Sequence, residues 1–141
     1  MIKIMTFGTL DIFHEGHKNF LEQAREHGDY LIVVVARDKT VKKVKKRLPQ
    51  NDEDKRLENI RKSNLADEVI LGSLENKYKA IEEYKPDVIC LGYDQGTFTE
   101  NLREKLKELN LPDAKIVRLK SYHPEKYKSS KLRNEFDVEE H

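Results

Sequence analysis

Met1-Ile2-Lys3-Ile4-Met5-Thr6-Phe7-Gly8-Thr9-Leu10-Asp11-Ile12-Phe13-His14-Glu15-Gly16-His17 opens the chain, and its reading decides the fold. Met1 to Phe7 is mostly apolar and has strand length. Gly8 and Thr9 then let the backbone turn. From His17 to Glu26 the apolar residues Phe20, Leu21 and Ala24 gather on one face of a helix. A near-continuous apolar run, without polar alternation, marks a strand buried on both faces, as in a parallel sheet.

The same unit recurs along the chain. Tyr30 to Ala36, Asp87 to Leu91 and Lys115 to Leu119 read as further strands, with a shorter one at Glu68 to Leu71. Helical spacing is predicted over Asp52 to Ser63, Leu74 to Tyr84 and Glu100 to Leu109. The resulting order, β-α-β-α-β-α-β-α-β, implies an α/β fold: a Rossmann-like parallel sheet of five strands sandwiched by helices through right-handed crossovers. A chain of 141 residues without internal repeat or linker is expected to be a single domain, residues 1–141. Ser121 to His141 is polar.

Charged residues make up 38% of the chain, yet 27 basic side chains stand against 26 acidic ones. A net charge of +1 exerts no whole-molecule pull toward nucleic acid or membrane. The stretch Lys39 to Arg47 holds six cations and no acid, but no aromatic lies between Asp38 and Glu58 to stack a base. Neither nucleic acid nor membrane is therefore an expected partner. Cys90 stands alone, which excludes an internal disulfide and suits a reducing compartment. No secretory leader is read at the N-terminus, and Leu31 to Ala36 is too short to cross a bilayer, so a cytoplasmic location is expected.

Open parallel sheets bind ligands beyond the carboxyl ends of their strands. The loop Thr9 to Gly16 lies there. Gly16 removes a side chain where a phosphate would approach, and the following helix offers N–H groups and a positive dipole end. His14 and His17 flank that spot, and each imidazole can donate to a phosphate oxygen, with added charge when protonated. Such donors stabilise charge developing on a pentacoordinate α-phosphorus and on departing pyrophosphate.

Gly8-Thr9-Leu10-Asp11 followed by His14-Glu15-Gly16-His17 resembles the G-T-F-D-x-x-H-x-G-H signature of the cytidylyltransferase-like nucleotidyltransferases. Leu10 stands where that family usually has Phe, a change that a packed position accommodates. Leu91-Gly92-Tyr93-Asp94-Gln95 resembles the family's loop at the nucleoside. Ser129-Ser130-Lys131-Leu132-Arg133 resembles its I-S-S-T-x-I-R motif, with Ser130 at the Thr position and Tyr127-Lys128 in place of the Ile. The resemblance spans Met1 to about Arg133, nearly the whole chain.

Several roles follow from the resemblance. It assigns His14, His17 and Lys46 to catalysis, and Thr9, Leu10, His14, His17, Gly92, Asp94, Ser129, Ser130 and Arg133 to the nucleotide. Lys42, Lys45, Lys46 and Arg56 are expected at the acceptor phosphate. Asp11 is expected either to anchor Mg²⁺ or to cap the loop. A homodimer is implied as well.

Within the family, three segments resemble the archaeal FAD synthases: Val35 to Lys45, Leu71 to Lys77, and Lys85 to Gln95 with Thr97-Phe98. Those enzymes tend to carry cysteines near the C-terminus, and this tail has none. The reaction so implied is transfer of AMP from ATP to FMN, giving FAD and pyrophosphate. The alternative is transfer of CMP from CTP to glycerol 3-phosphate or a related phosphoalcohol.

Overall fold

The computed structural model describes residues 1–92 and 101–120. In chain order the elements are β1 (Lys3–Gly8), α1 (Glu15–Arg25), β2 (Tyr30–Val35), α2 (Asp38–Lys45), α3 (Glu53–Ser63), β3 (Glu68–Leu71), α4 (Lys79–Tyr84), β4 (Val88–Leu91), α5 (Leu102–Glu108) and β5 (Lys115–Arg118). The strands pair in the order β3-β2-β1-β4-β5, each neighbouring pair parallel. The predicted five-stranded parallel sheet is therefore present. Chain order reverses direction at β1 and β4, so the topological switch point lies beyond their carboxyl ends, where Gly8 and Leu91 stand.

Alternate side chains along each strand point to opposite faces, and both faces are covered. On one, Ile4, Leu31, Val33, Val35, Val69 and Cys90 pack against Phe20, Leu21 and Ala24 of α1 and Ile60 of α3. On the other, Met5, Ile32, Val34, Ile89 and Leu91 pack against Ala80 and Ile81 of α4 and Leu102 and Leu106 of α5. That two-sided burial is why the strands read as continuous apolar runs. Gly28 serves close packing: a Cβ there would sit 2.8 Å from the Ile2 carbonyl oxygen and the Ile4 side chain. Burial pushes the Cys90 thiol up to about 12, which leaves it an inert core group.

Two elements differ from the sequence reading. Helix α2 is an addition, because Lys39 to Lys45 read only as a basic stretch. Arg37 makes no side-chain cap, and Val41 is the helix's sole buried residue, with Val44 on the same face left exposed. Its lysines nonetheless suit a helix whose last turn faces a negative dipole end. Helix α4 is shorter than the predicted Leu74 to Tyr84. Ser73 Oγ accepts from the N–H groups of Glu75 and Asn76, and Asn76 Oδ1 accepts from Tyr78 N–H. These side chains satisfy the backbone locally and hold off the helix until Lys79.

Candidate active site

Four loops converge at the carboxyl pole of the sheet, and the one between β1 and α1 is central. Its backbone is unusual: Leu10 and Ile12 both adopt left-handed conformations, with φ of 53° and 52°. For a β-branched residue such as Ile12 this is a costly backbone state, on the order of 1–3 kcal/mol. The surroundings enforce it. The Leu10 side chain is fully buried in the core, as expected for a packed position. Asp11, only 1% exposed, takes the Gln50 N–H on Oδ2 at 2.8 Å and the Asn51 N–H on Oδ1 at 3.0 Å.

Beyond this kink, His14 is the N-cap of α1. Its Nδ1 accepts from Gly16 N–H at 3.0 Å, while His17 Nδ1 accepts from His14 N–H at 3.3 Å. The two imidazoles thus form a capping box of the kind usually built from hydroxyl and carboxyl groups. Their rings stack with centroids 3.8 Å apart, and Phe13 lies 5.8 Å from His17 on a nearly parallel plane. With both Nδ1 atoms accepting N–H groups, Nε2 is the donor position left to each ring. That of His14 lies on a half-buried side chain, whereas that of His17 is buried.

The second part of the site is a clamp on the strap between α2 and α3. Arg56, on α3, is fully buried. Its Nε donates to the Asn51 carbonyl at 3.0 Å, Nη1 to the Thr9 carbonyl at 2.8 Å, and Nη2 to Asp38 Oδ1 at 2.7 Å. The guanidinium of Arg56, expected at the acceptor phosphate, is turned inward in this structure and joins two loops to the start of α2. Asp11 and Arg56 grip the same segment, one through its N–H groups and the other through a carbonyl. Of the two roles read for Asp11, the geometry displays the loop cap. No group of three or more His, Cys, Asp or Glu residues assembles a metal cage among the described residues.

The N-termini of α2 and α3 also cap each other. Asp38 N–H donates to Glu53 Oε1 at 2.8 Å, and Glu53 N–H donates to Asp38 Oδ2 at 3.3 Å. Arg37 closes the group by pairing with Glu53 at 3.2 Å and donating to the Gly72 carbonyl at 2.8 Å. This cross-cap went unread in the sequence, since its acids lie 15 positions apart.

Of the expected acceptor lysines, Lys42 and Lys45 lie on α2, and Lys46 is its left-handed C-cap with φ of 68°. Lys42 and Lys46 are exposed and Lys45 is half-buried. Gly92 follows β4, and its carbonyl accepts from Arg118 Nη1 at 2.7 Å. Asp94, Ser129, Ser130 and Arg133 lie outside the described residues. The structure thus brings Thr9, Leu10, Asp11, His14 and His17 together with the strap and Arg56.

Comparison with known proteins bears directly on this arrangement. The family model for cytidylyltransferase-like proteins matches residues 5–135. The FAD synthase of Ferroglobus placidus is 46% identical over 121 residues, covering 86% of this chain and 78% of its own. That of Methanoculleus marisnigri is 43% identical over 132 residues, 94% of this chain and 87% of its own. The chain belongs to the cytidylyltransferase-like family, among the FAD synthases. The lipopolysaccharide core biosynthesis protein from Thermoplasma volcanium has a solved structure that superposes with a TM-score of 0.80 at 40% identity, over 86% of this chain and 98% of that one. As a member of this family the chain is a nucleotidyltransferase, in agreement with the motif reading. No described helix is long and apolar enough to cross a membrane.

Two further residues escaped the sequence reading. Arg118 sits at the end of β5, and Gln23 on α1 reaches the backbone of Lys120. Neither belongs to a motif, and only the fold brings them to this pole. A groove of about 460 Å³ lined by Ile2, His27, Pro86, Asp113 and Lys115 lies at the opposite, amino pole and takes no part in the site.

Proposed function

We propose that the protein adenylylates FMN. A phosphate oxygen of FMN attacks the α-phosphorus of ATP, a new P–O bond forms, and the bridging bond to the β-phosphate breaks to release pyrophosphate. Reactions of this kind rest on positioning and charge stabilisation, without a side-chain nucleophile. The observation that carries the reading is the imidazole capping box at the switch point, which holds two Nε2 donor positions on one rigid helix start. His14 and His17 hold α- and β-phosphate oxygens as charge builds. Lys46, with Lys42 and Lys45, neutralises the incoming phosphate. Gly92 and Asp94 receive the nucleoside, while Ser129, Ser130 and Arg133 take the β- and γ-phosphates.

Val44 and Leu48 support the acceptor assignment. They are 53% and 58% exposed and set apolar surface among the cations of α2 and the strap. An isoalloxazine needs such surface, whereas glycerol phosphate would use only the cations. Magnesium enters with the triphosphate: Asp11 already holds two backbone N–H groups, and this hard cation keeps waters and substrate oxygens as ligands. The cation neutralises phosphate charge when bound. The protein acts in the cytoplasm as one nucleotidyltransferase domain within a homodimer.

The test crosses ATP and CTP with FMN, glycerol phosphate and phosphopantetheine, reading pyrophosphate release and FAD formation. ATP with FMN is expected to give FAD. Turnover of CTP with a phosphoalcohol about tenfold faster than that pair would overturn the assignment.

A further inference from the structure

The strap between α2 and α3 begins at Lys46, the left-handed C-cap of α2, and runs to Asp52, the N-cap of α3. It continues the segment to which the functional reading gives the acceptor: Lys42, Val44 and Lys45 on α2, then Lys46 and Leu48. The loop between β1 and α1 carries His14 and His17, to which that reading gives the phosphates of ATP. Attack on the α-phosphorus needs the two substrates in line, so the protein has to set the distance between strap and loop.

Asp11 joins the two. It stands three residues before His14, and its buried carboxylate accepts from Gln50 N–H at 2.8 Å and from Asn51 N–H at 3.0 Å. Each oxygen meets one N–H, so the carboxylate fixes the strap's direction as well as its distance. Hydrogen bonds to an ionised acceptor are stronger than those to a neutral one. The two segments are held unequally. The histidine loop has ties of its own: Leu10 is buried in the core, the Thr9 carbonyl accepts from Arg56 Nη1 at 2.8 Å, and the imidazole capping box holds the start of α1. On the strap, Arg56 Nε reaches the Asn51 carbonyl at 3.0 Å, next to the N-cap of α3, while Leu48 is largely exposed. Removing the Asp11 carboxylate thus releases the strap more than the loop.

We propose that Asp11 is a positioning residue that sets the register of the acceptor-binding strap against the histidine loop. The proposal rests on the functional reading above, which puts the acceptor on α2 and the strap. It gives Asp11 a part in turnover through the backbone of Gln50 and Asn51, without contact to substrate or metal. A strap that wanders lowers the fraction of complexes in which the acceptor oxygen faces the α-phosphorus, and turnover falls with that fraction.

The test uses the full chain with Asp11→Asn and Asp11→Ala, and with Tyr84→Phe as a control for lost stability, since that phenol bonds Glu68 at the amino pole. Asparagine keeps one side-chain oxygen and sets an NH₂ group against the other backbone N–H. Both Asp11 variants are expected to lose about 30- to 100-fold in kcat and to raise the FMN KM about three- to tenfold, with the ATP dissociation constant by calorimetry within about twofold. The half-saturating Mg²⁺ concentration is expected to stay within about twofold. Tyr84→Phe is expected to lower the melting temperature with kinetic constants within about twofold of wild type. A kcat within about threefold of wild type in both Asp11 variants would overturn the proposal. So would an ATP affinity that falls as far as the FMN affinity, the mark of a collapsed loop, or a half-saturating Mg²⁺ concentration raised about tenfold, the mark of a metal ligand. Should Asp11→Ala not fold, Asp11→Asn decides by the same measures. Failure of the functional reading shows separately, in the wild type: pyrophosphate released with another acceptor and no FAD formed sinks that reading, and the same ratios are then measured with that acceptor. A wild type that releases pyrophosphate with no acceptor sinks both.

Discussion

His14 caps α1 through Nδ1, and the proposed mechanism gives its Nε2 to phosphate, so alanine at this position would remove two functions together. Asparagine separates them, because it is a good N-cap and lacks the second nitrogen of the ring. His14→Asn is expected to lose about 100- to 1000-fold in turnover with little change in melting temperature. His14→Ala is expected to lose as much turnover and about 1 kcal/mol of stability. Steady-state rates and thermal melts of the two variants check this, and turnover within about threefold of wild type in both would refute the role of His14. At this scale the sequence exposed which residues gather but not always what they do. His14 and His17 were legible because their spacing around Gly16 sets both at one helix start. Arg56 was not, and Asp11 only as one of two readings, because charged side chains at a phosphate site suggest ligands. Only burial shows that their partners are the protein's own groups: backbone for Asp11, and backbone with the Asp38 carboxylate for Arg56.

Helix α2, the strap after it and the start of α3 form the element-scale unit, and Arg56 is its centre. Replacing one partner of a buried charge pair leaves the other uncompensated. Arg56→Met is therefore expected to destabilise the protein by about 3–5 kcal/mol in denaturant titrations, since Asp38 and two carbonyls lose their donor. Arg56→Lys keeps the charge without the three-way fork and is expected to fall between. Its FMN KM is expected to stay near that of wild type; a raised FMN KM at unchanged stability would restore Arg56 to the acceptor phosphate. The strands and four of the five described helices were legible at this scale because each buries an apolar set of its own, α4 with a later start than read. Helix α2 was not, because its row of like charges reads as a basic stretch even though Val41 and Val44 stand three apart on one helical face. What holds it is its cross-cap with α3, a contact between distant segments.

The whole molecule places chemistry at one pole and leaves the other pole for structure. At the amino pole Tyr30 and Tyr84 donate to the two oxygens of Glu68, at 2.8 and 2.7 Å, and join β2, β3 and α4. That bond, chiefly, raises the Tyr84 phenol to about 12. Assembly belongs to this scale too. A homodimer predicts a light-scattering mass at micromolar concentration of twice 16.6 kDa. A mass of one chain would exclude it. The sequence by itself determined the α/β class, the parallel sheet and the imidazole loop at its first turn, because those depend on local periodicity and on residues a few positions apart. Tertiary structure alone decided that Asp11 and Arg56 clamp the strap, that Asp38 and Glu53 cap each other's helices, and that Gln23 and Arg118 tie down the carboxyl ends of β4 and β5. Apart from the Arg56–Asn51 bond, which spans five positions, those contacts join residues 15 to 97 positions apart, and partners so distant in sequence leave no local pattern to read.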